Sequence, residues 1–144
     1  MEVYREEERE MMQLLEEEKM VMTPYSAMAA GRLCRLSTEE ETLRYKDDPN
    51  AVFKYGQSKD IDLPVIKRVK EVADKMKISM ALVALAWIYS KPLIVSPVLG
   101  FTKIPQLEEA FKVFSIKLDP EDIKYLEELY VPHPTIGALK KPLK

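Results

Sequence analysis

The sequence predicts an α/β fold, in which short, buried, parallel strands alternate with helices. Three observations predict it. Residues 20–23 (MVMT) and 93–98 (LIVSPV) are brief apolar runs without polar alternation, the pattern of a strand covered on both faces. Between and after them the apolar residues recur at i, i+3 and i+4, the period of a helix. The order helix, strand, loop, helix pair, strand, helix, helix is that of consecutive α/β units.

Residues 4–18 are rich in Glu, Arg, Met and Leu, all good helix formers, with Met11, Met12, Leu14 and Leu15 gathered on one side. The first strand, 20–23, stops at Pro24, which has no N–H to give a ladder. Residues 25–33 have a loop composition, and 35–62 form a charged surface excursion with a turn signal at Asp48-Pro49-Asn50. Asp62 is read as a helix cap with Pro64 in the first turn, followed by Val65, Ile66, Val69, Val72, Ala73 and Met76 on one face. Ser79 is a second cap, and 80–89 (MALVALAWIY) is apolar on nearly every side, which suits a helix with more than one neighbour. After the second strand, Pro105 opens a helix to about residue 113 with Leu107 and Phe111 expected inward. Asp119-Pro120-Glu121-Asp122 marks the start of a last helix, 120–129, with Ile123, Leu126 and Leu129 inside. Residues 131–144 read as an irregular, peripheral tail.

The 144 residues, 47% apolar and 32% charged, are enough for one domain with its own core. A net charge of -2 with interleaved signs lacks the basic footprint that nucleic acid requires. No apolar run approaches the ~20 residues that cross a bilayer, and the acidic start MEVYREEERE is unlike a signal peptide. One cysteine, Cys34, and one histidine, His133, cannot assemble a four-ligand zinc site or an internal disulfide, so a cytoplasmic location is expected. Arginines at 32 and 35 flank Cys34 and are expected to lower its pKa, with no base nearby to argue for nucleophilic chemistry. Two strands make a poor sheet, so lateral partners are expected from elsewhere.

The segments YREEERE, PYSAMAAGRL, ALAWIYS, SPVLGFTKIPQLEEAFKVF and SIKLDPEDIKYLEEL, in this order and spacing, closely resemble the C-terminal part of aldo-keto reductases. The likeness is to the branch holding aryl-alcohol dehydrogenase-like and potassium-channel beta-subunit-like members, and it covers nearly the whole chain. It implies the C-terminal portion of a (β/α)8 TIM barrel, with 20–23 as strand seven and 93–98 as strand eight. Residues 1–130 would be a partial NADP-dependent oxidoreductase domain and 131–144 its tail. Such a barrel takes ~250 residues, so the chain is expected to be a truncated piece. The family's catalytic Asp, Tyr, Lys and His lie on earlier strands and have no counterpart here, so no catalytic residue is assigned.

The resemblance implies cofactor contacts for NADP(H) at the C-terminal ends of both strands, where barrel enzymes bind ligands. Tyr25 would stack on the nicotinamide, a task that suits a flat, rigid ring. Ser26, Met28, Gly31 and Arg32 match the loop along the pyrophosphate. Gly100, Phe101, Thr102 and Lys103 lead into a helix start whose N–H groups and dipole suit the adenosine 2'-phosphate. Gln106 sits where relatives carry Arg or Gln, and Glu109 and Ala110 match positions around the adenine. Thr102 stands where close relatives often carry Arg, and Ala110 where many carry Asn, departures that imply either a lower cofactor affinity or a softer preference for the 2'-phosphate.

The expected partners are the nicotinamide cofactor and, in a full-length form, a carbonyl substrate, with no nucleic acid and no membrane. Another reading stays open: a truncated, non-catalytic fragment that acts as an interaction or regulatory subunit, self-associating through exposed strand edges. A small helical binding module would require both strands to be absent.

Overall fold

The computed structural model describes residues 11–36 and 59–131. The start of the first predicted helix, most of the charged excursion and the tail with His133 lie outside the described residues.

Three helices make the body: α2 (Lys59–Met76), α3 (Met80–Tyr89) and α5 (Pro120–Glu127), with α2 packed on both of the others. The helix α3 starts where Ser79 Oγ accepts the Leu82 amide at 3.3 Å, the local chemistry that Ser at this position favours. Met80 and every residue from Leu82 to Ile88 are buried, as an apolar surface on all sides requires. Each Leu, Val, Ile or Met among them contributes roughly 1.5–3 kcal/mol relative to exposure. Trp87 at the centre is 0% exposed, and its indole N–H donates to Glu127 Oε1 of α5 at 2.8 Å. Lys91 reaches the same carboxylate oxygen at 2.5 Å and lies 4.7 Å over the Trp87 ring. Further pairs lock α5 to α2: Lys75 with the buried Asp122 at 2.6 Å, Arg68 with Glu128 at 2.7 Å, and the Tyr125 hydroxyl donating to Glu71. The hydrogen bond to Glu71 raises the Tyr125 pKa, and the bond to Asp122 raises that of Lys75.

Several sequence expectations are corrected. The second predicted helix starts at Lys59, so Asp62 lies inside its first turn and Pro64 lies further in, on an exposed position. There the carbonyl that proline leaves without a helical N–H can be met by water. The helix α4 (Ile104–Phe111) runs into a 3-10 turn, Lys112–Ser115. Its buried residue is Ala110, followed by Val113 in the turn, whereas Leu107 and Phe111 face outward with Phe111 63% exposed. Ile104, Leu107 and Phe111 share one apolar face, as the spacing predicts, but among the described residues that face is left open and only its Ala110 edge turns toward α3. Asp119 holds the cap position of α5, where its backbone carbonyl accepts the Ile123 amide at 3.0 Å while its side chain makes no cap bond. The last helix ends at Glu127, so Leu129 falls beyond it and is exposed. The described part of the first helix, α1 (Met11–Glu17), buries Leu15.

The two predicted strands lie side by side and parallel, joined by bridges at Met22↔Ile94 and Tyr25↔Val98. The Met22 amide donates to Leu93 O at 2.8 Å, Val95 donates to Met22 O at 3.2 Å, and Val98 donates to Pro24 O at 2.8 Å. Among the described residues these bridges do not extend into a continuous ladder. Pro24 and Pro97 supply no amide, and one segment carries two residues between the bridges while the other carries three. Nor is either segment covered on both faces: Met20, Val21, Val95 and Val98 are exposed. The expectation of two buried strands therefore reduces to a short parallel pair with open apolar faces. Among the described residues no helix is long and apolar enough to cross a membrane.

Candidate functional site

The C-terminal ends of the strand pair lead directly into a cavity of about 590 Å³, within the ~300–1,000 Å³ usual for small-molecule sites. It has two walls and a floor. One wall is the segment after the first strand, two short 3-10 turns (Ala29–Cys34) that meet at a kink. The other is the approach to α4 and its first turns, residues 100–110. The floor is the start of α3, with Leu82 and Leu85 beneath.

The first wall is bent by backbone in the left-handed region: φ is 57° at Ser26, 50° at Ala29, 55° at Ala30 and 88° at Gly31. For each non-glycine residue this conformation costs roughly 1–2 kcal/mol. At Gly31 a Cβ would meet nothing within 4 Å, so the dihedral angle rather than crowding calls for glycine. Ala29 and Leu33, both fully buried, anchor the segment from below.

The second wall is held by its own cap. Gln106 Oε1 accepts the amides of Thr102 at 3.1 Å and Lys103 at 3.2 Å, and the Thr102 hydroxyl at 3.2 Å. The helix-start amides expected to be available to an anion are thus partly taken. What this end offers a ligand is the Lys103 ammonium, the amide nitrogen of Gln106 and the dipole of α4.

Nine positions that the resemblance assigned to a cofactor line this one cavity. Met28 and Gly31 come from the first wall, and Gly100, Phe101, Thr102, Lys103, Gln106, Glu109 and Ala110 from the second. Three assigned residues lie elsewhere. Tyr25, 65% exposed, and the half-buried Ser26 stand at the end of the first strand segment, beside Val98 and two residues before Gly100 on the neighbouring one. Arg32 is turned away from the cavity, its Nη1 2.7 Å from Oδ2 of Asp62, which is 1% exposed. The arginine that does line the cavity is Arg35, in extended backbone just past the 3-10 turns. The resemblance pointed to Arg32, and a stretch read as loop carries no phase that would single out Arg35, three residues on. Ser79, already recognised as a cap, was also missed as a cavity residue.

Cys34 sits on the cavity wall with its thiol 3.5 Å from the Met28 sulfur. Burial pushes the thiol up to about 11, Arg35 lowers it by less and Glu109 raises it slightly. The expectation of a lowered pKa from flanking arginines is therefore reversed: desolvation outweighs the cation. Among the described residues no group of three or more His, Cys, Asp or Glu is placed to hold a metal ion. The arrangement is an apolar slot, walled by Met28, Leu82, Leu85 and Phe101, with Lys103, Arg35 and Glu109 also on its lining. Such a lining can take a small molecule with an apolar body and a charged group.

Comparison with known proteins gives a consistent picture. A model of the Aldo/keto reductase family matches residues 1–131. The versiconal hemiacetal acetate reductase of Aspergillus parasiticus is 39% identical over 131 residues, which are 90% of this chain and 38% of that relative. The protein C750.01 of Schizosaccharomyces pombe, which has aryl-alcohol dehydrogenase in its name, is 37% identical over 139 residues, 95% of this chain and 41% of the relative. The chain thus spans about two fifths of the length of these curated relatives. Among solved structures, the glycerol dehydrogenase AKR11B4 from Gluconobacter oxydans superposes with a TM-score of 0.75 at 20% identity, over 97% of this chain and 44% of that one. That likeness shows a shared fold.

Proposed function

The chain belongs to the aldo/keto reductase family, and from that premise we propose that it is the C-terminal, cofactor-holding portion of an NADP(H)-dependent reductase of aldehydes or ketones. The observation that carries this reading is the convergence of nine expected cofactor positions on one cavity at the ends of the parallel strand pair.

The residues present fit the adenosine and phosphate end of such a cofactor. Lys103, at the start of α4, meets the 2'-phosphate, assisted by the helix dipole and the amide nitrogen of Gln106. Arg35 stands on the other wall for the pyrophosphate, in the role first assigned to Arg32; its planar fork suits phosphate oxygens. Glu109 accepts from the adenine amino group, and the apolar slot excludes water from the ring faces. Tyr25, exposed at the strand end, offers a ring face for stacking. When bound, the nicotinamide supplies a hydride for the carbonyl carbon of a substrate. The proton donor belongs to the family's catalytic set on earlier strands.

Fluorescence titration of the chain with NADPH tests the reading. Saturable binding that 2',5'-ADP competes away, and that Lys103→Ala weakens on the order of tenfold, is expected for a lost charge-assisted phosphate contact. Binding that neither 2',5'-ADP nor Lys103→Ala affects, or no binding, overturns it. A second reading, a non-catalytic subunit that pairs with another chain, draws on the exposed Met20, Val21, Val95 and Val98. Sedimentation as a dispersed monomer at all concentrations counts against that one.

A further inference from the structure

We propose that Arg32 and Asp62 form a positioning clamp for the cavity wall, tying the kinked segment Ala29–Cys34 to the first turn of α2 and thereby presenting Gly31 and Arg35 to the ligand. The nature of that ligand rests on the cofactor reading above. The clamp itself rests on geometry.

The pair is short, 2.7 Å, and largely dry, with side-chain exposures of 11% for Arg32 and 1% for Asp62. A charge in such a setting is retained only when it is paired, so this contact constrains the place of both residues. Asp62 lies in the first turn of α2, where the helix dipole favours an anion, and so is a firm anchor. Arg32 follows directly on Gly31 and on the left-handed Ala29 and Ala30, backbone that reverts to ordinary dihedral angles unless surrounding contacts hold it. The buried Ala29 and Leu33 set the depth of the segment. Apolar burial is non-directional, however, and leaves the rotation of the turn open. The guanidinium, a rigid fork on a buried carboxylate, fixes that rotation. Its consequence is that Arg35, three residues on, faces the cavity instead of Arg32.

Arg32 is thus a positioning residue, and a readout exists that does not need the cofactor. Cys34 is the only thiol of the chain and ends the clamped segment. Its rate of reaction with a thiol reagent reports on the wall directly, because release of the segment takes Sγ away from the Met28 sulfur it faces at 3.5 Å and opens it further to the reagent. For Asp62→Asn, Cys34 labelling is expected to accelerate, and NADPH binding to weaken, each on the order of tenfold. Arg32→Lys, which keeps the charge and loses the fork, is expected to show a smaller change in the same direction in both. Lys103→Ala weakens binding alone. A merely structural role would lower the melting temperature of both variants yet leave native-state labelling and binding unmoved. Unchanged Cys34 labelling in Arg32→Lys and in Asp62→Asn, each folded by circular dichroism, overturns the clamp. If Asp62→Asn fails to fold, labelling of Arg32→Lys decides. If the wild-type chain does not bind NADPH, the cofactor reading falls, and the labelling result still decides the clamp.

Discussion

Val83, Trp87 and Ile88 in α3 are shut away from solvent, whereas Met20, Val21, Val95 and Val98 on the strand pair, equally apolar, stay exposed. The difference lies in what each kind of backbone needs from its surroundings. A helix satisfies its own amides and needs only side-chain partners, which α2, α4 and the 3-10 segments Ala29–Cys34 and Lys112–Ser115 supply to α3, along with the carboxylate of Glu127 for the indole. A strand needs neighbours on both edges as well as cover on both faces. Here each segment has the other on one edge, with prolines at 24 and 97 interrupting even that pairing. The apolar burial of the described molecule therefore sits in its helices, and the candidate cavity lies at the ends of the thinly paired strand segments.

Trp87→Ala strikes the helical side of this contrast hardest. It empties the centre of the core and strips Glu127 of a donor, so urea unfolding should show a loss of about 3–5 kcal/mol. A loss below about 1 kcal/mol would break the contrast.

Gly31→Ala tests the hinge between the two regions. Space is open around that position, so the cost, roughly 1–2 kcal/mol, comes from the φ of 88° alone. The same measurement checks it, and a neutral result would mean that the kink relaxes freely.

A smaller effect is expected from pH, since Cys34 keeps part of its surface open. Its thiol is pushed up to about 11 from 9.0. Through that window the unfolded chain has released a proton that the folded chain still holds, so stability falls as pH rises from 9.0 to about 11. The fall should be reduced in Cys34→Ser, as thermal melts across the range would show.

The smallest effect belongs to the strand pair. Val98→Ser, at a position 58% exposed, should stay within about 0.5 kcal/mol of wild type. A clear destabilisation that grows with protein concentration would instead place this face inside an assembly and sharpen the second functional reading.

Much of the molecule was legible one segment at a time. Ser79 caps its helix, Pro120 opens α5, and the apolar face of α2 from Val65 to Ala73 is buried as its spacing predicts, because caps and periods act within a turn or two. The cavity was legible through resemblance, and nine positions drawn from two distant stretches of the chain do converge on it. Leu107 and Phe111 misled because the period of a helix shows which residues share a face and not whether anything packs on that face. Asp62 misled because a carboxylate ahead of an apolar period reads as a cap, and its partner is 30 residues away.

The sequence by itself determined the order of helices and strand segments, the apolar centre around Trp87 and the family. Each of these depends on interactions between residues close in the chain or on the whole pattern at once. Only the tertiary structure decided which arginine is buried against Asp62 and which faces the cavity, and that Gln106 occupies amides otherwise open to an anion. Charges and donors choose partners by distance and desolvation in three dimensions, and a local pattern of residues carries neither.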